Sequence, residues 1–462
     1  MPKHKSGSDA VVALSENIVS TRFEDIPDSS GESAKFFILD TFGTALAGSS
    51  APGVKGIVEL VHEIGGKPES SLWVPPGGAV LPATTAAFAN GVMAHARDFD
   101  DTHDAAIVHA NTSVLPAAFA MAERRHCSGK DLICAVVLGV DLACRMGLAA
   151  PSLGGWVHSS TLAYFGSVAA SGKLAGLEFE QIVNAMGIVY SQVAGNIQCL
   201  IEGALSKRMQ PAFGARGGVF STLLAERGVT GPKEVLEGKY GFFNLYQRGN
   251  YSRERLLKDL GKHFEGINLS MKPYPCCRAT HASIDTIIKC LEEEPFTAEE
   301  VEEVTVRVPP LVMDLVGRPF TIGPNPQVSA QFSIPYTVAT CILKREIFIG
   351  DFEDEAVISS PAIELARRIL VVERDDVTDP KAMVPIRMEI CLKDGRKMVR
   401  EAHQIKGSPE LPMTTDEVVE KFKKCNEYAL NPLSNTNVDA LIEKTLAIEN
   451  IADIAEMQNL WN

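Results

Sequence analysis

Three histidines and four aspartates fall between residues 95 and 109: His95, Asp98, Asp100, Asp101, His103, Asp104 and His109. Imidazole titrates near neutral pH, and a carboxylate beside it can orient it or share its proton, so this mixture suits general acid–base chemistry. The flanking segments TTAAFANGVMA and VLPAAFAMAE are small and apolar. They predict that the charged run is carried into a helical interior, where ionisable groups persist only when paired or used. The competing reading is a solvated, helix-capping acidic loop.

Cations and protonatable groups recur downstream in Gly- and Pro-rich sequence. GGWVHSSTLAYFGS holds His158, SKRMQPAFGARGG holds Lys207, Arg208 and Arg216, and SMKPYPCCRATHASID holds Lys272, Cys276, Cys277, Arg278 and His281. Taken singly, such a histidine reads as a hydrogen-bonded core residue and such a lysine as solvated. Brought together opposite Asp98 and His109, they would bind a small di- or tricarboxylate and move a proton α to a carboxylate. Other chemistries lack their motifs: there is no GxGxxG, HExxH, GxSxG or CxxC. GSVAASGKL misses a P-loop, with one residue too many between Gly166 and Gly172 and Leu174 where a magnesium-binding hydroxyl belongs. Asp100-Asp101-Thr102-His103-Asp104 fits the DDxxD of magnesium-dependent prenyl-diphosphate enzymes, but no second carboxylate cluster follows and the later part of the chain is β-rich.

These residues must be held by a chain of 462 residues, long enough for two or three domains. A hydrophobic fraction of 45% with 7% aromatics describes a globular protein of closely packed helices. The net charge of −14 has no basic cluster set against it. That argues against a nucleic-acid surface and requires a local cationic pocket for any anionic ligand. MPKHKSGSDA has no apolar signal core, and no uncharged apolar run long enough for a membrane span occurs, so the expectation is a cytoplasmic protein with no membrane partner. Ten scattered cysteines fit reduced thiols.

In chain order, residues 1–10 read as disordered. Helices are expected from Asp9 to Ile18, after Pro27 with Gly48 as its terminator, and at 53–65, followed by a Gly/Pro loop through Pro75, Pro76, Gly77 and Gly78. Ser128-Gly129-Lys130 opens another, and Ala- and Gly-rich helices follow at 166–177 and 181–198. Val304, Val306 and Val308 alternate as a half-buried strand, and Ile386, Met388, Ile390 and Leu392 begin a hairpin turned by Asp394-Gly395. Helices are expected at 329–345 and 361–372. Thr414 and Glu417 form a capping box for a helix burying Val418, Phe422 and Cys425, and 432–462 reads as helical. The chain thus divides into an all-α domain (1–269), an α+β domain (270–405) and C-terminal helices (406–462) packing back on the first.

FFILDTFGTALAGSS, AFANGVMAHARDFDDTHD with IVHANTSVLPAAFA, VHSSTLAYFGSVAAS, SKRMQPAFGARGG and KPYPCCRATHASID resemble, in order, the signature blocks of the MmgE/PrpD family. That family includes 2-methylcitrate dehydratase, cis-aconitate decarboxylase and iminodisuccinate epimerase. The resemblance implies a mainly α fold, with a large all-α helical domain plus a smaller α+β lid domain, in a homodimer that needs neither metal nor organic cofactor. It also implies that Asp98, Thr102, His109, His158, Lys207 and Lys272 line the active site. Asp98 and His109 would move the proton, and Lys207 and Lys272 would hold carboxylates; His103, Arg208, Arg278 and His281 are further expected substrate contacts. With Asp98 and His109 in the helical part and Lys272 near the composition boundary, the site is expected between the two domains. Gln210 stands where many relatives have histidine, and Cys277 where the animal cis-aconitate decarboxylases have it, which counts against that activity in particular.

The expected function is a cofactor-independent lyase, a dehydratase or decarboxylase, acting on a citrate- or aconitate-like polycarboxylate. Cys277 supplies the alternative. A thiol between Lys272 and Arg278 has its pKa lowered, and it could pass a proton across an α-carbon opposite a histidine, which is epimerase chemistry on an iminodisuccinate-like dicarboxylate. A non-catalytic helical scaffold is the reading from a different class.

Overall fold

The computed structural model describes residues 7–74, 79–150, 154–379 and 381–461. Of the disorder expected over residues 1–10, residues 1–6 lie outside the described residues, as does the loop at Pro75, Pro76, Gly77 and Gly78, while Asp9 is ordered as the cap of the first helix and Ala10 opens it. The chain divides into two units, Met1–Met271 with Thr414–Asn462, and Lys272–Met413.

The first unit is built on helices: α1 (Ala10–Ser20), α2 (Asp28–Ser49), α3 (Val54–Ile64), α4 (Ala83–His95), α5 (Asn111–Arg125) and α6 (Gly129–Ala149). They continue as α7 (His158–Thr161), α8 (Ala163–Leu174), α9 (Phe179–Tyr190), α10 (Gln198–Ile201), α11 (Gln210–Glu226), α12 (Phe242–Tyr246) and α13 (Arg253–Leu257). Small residues set how closely these helices approach. A Cβ added to Gly48 of α2 would lie 1.9 Å from the Met93 carbonyl oxygen of α4, and one on Gly139 of α6 would lie 2.7 Å from the Gly166 carbonyl oxygen of α8. Phe42, Trp73 and Phe119 meet edge to face with centroids 4.8 to 5.6 Å apart and close the core around α2 and α5. Helix α6 is long and apolar enough to cross a membrane, but it is almost wholly buried within the chain, and its Asp141–Arg145 pair at 2.7 Å is buried too. It is a core helix.

In the second unit come α14 (His281–Glu293), α15 (Pro310–Val316), α16 (Pro326–Gln331), α17 (Ile334–Lys344), α18 (Asp354–Ser359) and α19 (Ala362–Ala366). After it the chain returns to the first unit as α20 (Thr415–Glu427) and α21 (Asn435–Leu446). The first unit also holds a short antiparallel ribbon, β1 (Ser70–Ser71) with β2 (Val80–Leu81). The second holds a mixed sheet of β3 (Val301–Val308), β4 (Ile369–Glu373), β5 (Ile386–Leu392) and β6 (Lys397–Ala402), in the order β4-β3-β5-β6. β3 runs parallel to β4 and antiparallel to β5, and β5 and β6 are the expected hairpin. Val304, Val306, Val308, Ile386, Met388 and Ile390 turn into one core with Ile284 and Ile287 of α14 and Val338 and Ile342 of α17.

The fold is mainly α, and five expectations are corrected in detail. The helical domain is not strictly all-α, because it contains the ribbon of β1 and β2. Gly48 does not end α2: it sits inside the helix as the point where Met93 comes close, and the helix runs on to Ser49. The helix expected at 181–198 stops at Tyr190, and Gly195 beyond it takes φ +131°, outside any helix. The helix expected at 329–345 is two, because Ser333 caps Tyr336 N–H and Pro335 fits only a first turn. Of 361–372 only Ala362–Ala366 is helical; Ile369-Leu370-Val371-Val372 instead pairs with β3, as a branched apolar run favours.

Candidate active site

Helix α4 ends on His95 and α5 begins on Asn111, so the charged run is the loop between two packed helices. Asp100 and Asp101 are fully buried, and His95, Asp98, Thr102 and His103 nearly so. This burial overturns the solvated-loop reading. The loop is held by its own polar groups. Arg97 donates from Nε to the Ala47 carbonyl (3.2 Å) and from Nη2 to Ser50 Oγ (2.9 Å) at the end of α2. Asp101 accepts the Ala110 and Asn111 N–H groups, each at 3.2 Å, and so caps α5. Asp98 sits at φ +54° and Ile107 at φ +55°, left-handed conformations that side chains rarely adopt.

Asp100 bridges two imidazoles. Its Oδ2 lies 2.8 Å from His95 Nδ1 and 3.2 Å from His109 Nδ1. His109 Nδ1 is also 2.7 Å from the Asp101 carbonyl oxygen. Both neighbours are acceptors, so Nδ1 of His109 carries a hydrogen, and Nε2 stays outside both contacts. The His109 backbone N–H donates to Ser159 Oγ at 3.0 Å. Burial lowers His95 to about 4, against the opposing pull of Asp100. Burial pushes the Asp100 carboxyl up, but the charges and hydrogen bonds of His95 and His109 together hold it well below its ordinary value. Asp101 is pushed up to about 7, by burial first and by the Asp100 charge next. His95, Asp100 and His109 are also metal-ligand types within 4.8 Å of one another. Their contacts through Nδ1 are at hydrogen-bond distances.

Lys207 reaches this loop from the 3-10 turn Leu205–Met209, with Nζ 2.7 Å from Asp98 Oδ1. The lysine side chain keeps a quarter of its surface exposed while Asp98 is buried. His158, beside the Ser159 that fixes His109, has Nδ1 3.1 Å from the Ala106 carbonyl oxygen. The geometry therefore links Asp98, His109, His158 and Lys207 around one loop.

The other expected residues of the first unit make hydrogen bonds of their own. Thr102 and Ser270 exchange backbone hydrogen bonds at 2.9 and 2.7 Å. His103 accepts the Ala106 N–H at Nδ1 (3.2 Å) and lies 3.4 Å from Glu265 Oε2. Burial raises Glu265, but hydrogen bonds from His103 and Asn268 and nearby histidine charge bring it down to about 2. Arg208 donates to the Pro52 carbonyl at 2.8 Å.

Lys272, Cys277, Arg278 and His281 belong to the second unit. There Lys272 is buried, and the Cys277 N–H donates to the Gln331 carbonyl at 3.0 Å. Arg278 donates to the Lys406 carbonyl at 2.8 Å, and His281 Nε2 lies 3.3 Å from the Cys276 carbonyl oxygen. His95, Asp100 and Asp101 stand out in the sequence as members of the dense run, but nothing local assigns them to the site beside His109. Gln210, which stands in place of a histidine, donates from Nε2 to the Asn196 carbonyl at 3.0 Å and ties down the turn after Gly195.

Residues 12–254 match the MmgE/PrpD N-terminal domain and residues 274–447 the MmgE/PrpD C-terminal domain. The chain is 29% identical to the cis-aconitate decarboxylase-like protein oryM of Aspergillus oryzae, over 94% of this chain and 93% of that one. It is 26% identical to a cis-aconitate decarboxylase of Aspergillus terreus, over 99% of this chain and 96% of that one. The cis-aconitate decarboxylase of Mus musculus is 26% identical over 92% of this chain and 88% of its own length. With both domains matched in order across most of its length, the chain is an enzyme of the MmgE/PrpD family.

Proposed function

We propose that the protein is a lyase that decarboxylates cis-aconitate or a closely related unsaturated polycarboxylate, with neither metal nor organic cofactor. The observation that carries this reading is His109, fixed through Nδ1 with Nε2 available, on the same loop as the Asp98–Lys207 pair. The relatives named for cis-aconitate decarboxylation support the substrate class. A proton delivered to the vinylic carbon α to one carboxylate lets the bond to the allylic carboxylate break. The electrons of that bond form the new terminal double bond, and carbon dioxide leaves. His109 gives that proton from Nε2, and the resulting neutral ring keeps its Nδ1 hydrogen bonds. Lys207, partly exposed beside Asp98, holds a substrate carboxylate. Exposed Phe213 and Phe220 on one face of α11 support working as a homodimer, and ten cysteines that form no disulfide among the described residues support a reducing, cytoplasmic setting.

The test is incubation of EDTA-treated enzyme with cis-aconitate, citrate and 2-methylcitrate, following carbon dioxide and the unsaturated acid formed. Carbon dioxide from cis-aconitate is expected. Release of water without carbon dioxide would make the enzyme a dehydratase, and activity only on added magnesium would end the metal-free reading. Cys277, partly exposed where Cys276 is buried, favours an epimerase as the second reading. Deuterium exchange at a dicarboxylate α-carbon without net loss of substrate would select it.

A further inference from the structure

Lys421 and Asp40 form an ion pair at 2.5 Å whose side chains are 5% and 0% exposed. The pair joins α20 to α2, and the packing that allows it is close: a Cβ on Gly43 would meet the Phe422 ring at 3.1 Å and the Phe422 backbone at 3.3 Å. Burying two opposite charges has a desolvation cost that matches or exceeds their attraction, so such a pair is weak evidence of stabilisation and asks for another role. Lys421 has further contacts. Its Nζ donates to the Phe99 carbonyl at 3.1 Å and stands 3.9 Å from the centroid of the Phe99 ring.

Phe99 follows Asp98, and Arg97 precedes it with its guanidinium tied to the end of α2. The left-handed conformation of Asp98, at φ +54°, is one that side chains rarely adopt. It is thus held from both sides, by Arg97 on α2 and by Lys421 on α20.

We propose that the Asp40–Lys421 pair is a positioning device that fixes Asp98, the central residue of the turn from Arg97 to Phe99, in register with Lys207. The inference rests on the reading of Asp98 and Lys207 as part of the active site. Asp40 orients the ammonium, the ammonium fixes the Phe99 carbonyl and ring, and the backbone at Asp98 has one conformation left to it. A misplacement of about 1 Å in such a group can cost about 100-fold in rate.

Lys421→Met alone would remove one charge of a buried pair and leave the other, so the informative variant is Asp40→Asn with Lys421→Met, which removes both charges together. The double variant is expected to melt near the wild-type temperature, with kcat on cis-aconitate lowered ~10- to 100-fold and KM changed less than ~3-fold. Backbone amides of residues 97–101 should exchange with deuterium at least ~10-fold faster while those of α2 and α20 keep their protection. Lys421→Arg, which can still donate to Phe99 and pair with Asp40, should recover most of the turnover. A stable double variant with wild-type kcat and wild-type exchange at 97–101 would overturn the proposal. So would acceleration spread equally over α2 and α20, which is general loosening. If the wild-type enzyme turns over none of the acids, the functional reading fails, and the exchange measurement still decides the positioning role.

Discussion

With its Nδ1 hydrogen shared between the Asp101 carbonyl and the Asp100 carboxylate, the His109 ring presents Nε2 in one orientation. His109→Ala is expected to lower kcat by about two to four orders of magnitude with the fold intact by circular dichroism, and near-normal turnover would move the proton transfer elsewhere. Asp101 gives a prediction that needs no substrate. Its carboxyl is raised by burial from 3.8 to about 7, so between those values the folded chain holds a proton that the unfolded chain has released. The contribution of this residue to stability therefore falls as pH rises through that window. Asp101→Asn keeps an oxygen for the Ala110 and Asn111 N–H groups and removes the titration. From pH 5 to pH 7 it should gain about 2 kcal/mol relative to wild type in urea unfolding, on the usual conversion of pKa shifts. A constant difference between the two proteins over that range would refute it. His95 works in the opposite direction, since burial lowers its pKa and its stability contribution rises with pH from about 4 to its ordinary 6.5. That is why the comparison is between variants and not along one curve.

Elements succeed or fail here on how near two backbones can come. Gly48→Ala would set a methyl carbon against the Met93 carbonyl of α4, two residues before the His95 that ends the helix. We expect a loss of about 3 kcal/mol in denaturant unfolding, at the upper end for overpacking, and an unchanged midpoint would mean that α2 and α4 can separate at no cost. The same glycine shows how far the sequence could be read. A glycine near the end of an apolar helix pattern resembles a cap, and only the partner helix reveals it as a contact. Strand β3, the β5–β6 hairpin and the Thr414–Glu417 box were legible because their signals are local. β4 was not, because Ile369–Glu373 becomes a strand only through its parallel partner β3, far back in the chain. In the site, the density of His and Asp exposed the loop itself. Which carboxylate meets which ring depends on the left-handed turns at Asp98 and Ile107, and the Asp40–Lys421 contact joins residues with no local relation at all.

For the whole molecule, the face of α11 is the feature to test. Phe213 and Phe220 are 39% and 49% exposed, with exposed Arg216 between them on the same stripe. Light scattering should return a dimer, and Phe213→Glu with Phe220→Glu should return a monomer; a wild-type monomer at working concentration would remove the claim. The order of the chain has a consequence of another kind. The first unit is interrupted after Met271 and resumes only at Thr414, and it needs both Lys421 against the site loop and Trp461 against Phe42 and Trp73. At about 5 to 20 residues per second, a ribosome takes roughly 10 to 40 seconds to make the stretch from residue 272 to residue 461. Throughout that time the helices already made lack the segment that seals them, and they wait with apolar surface open to chaperones and proteases. A message cut short anywhere in its last part should thus yield insoluble or degraded chains and not a smaller working enzyme.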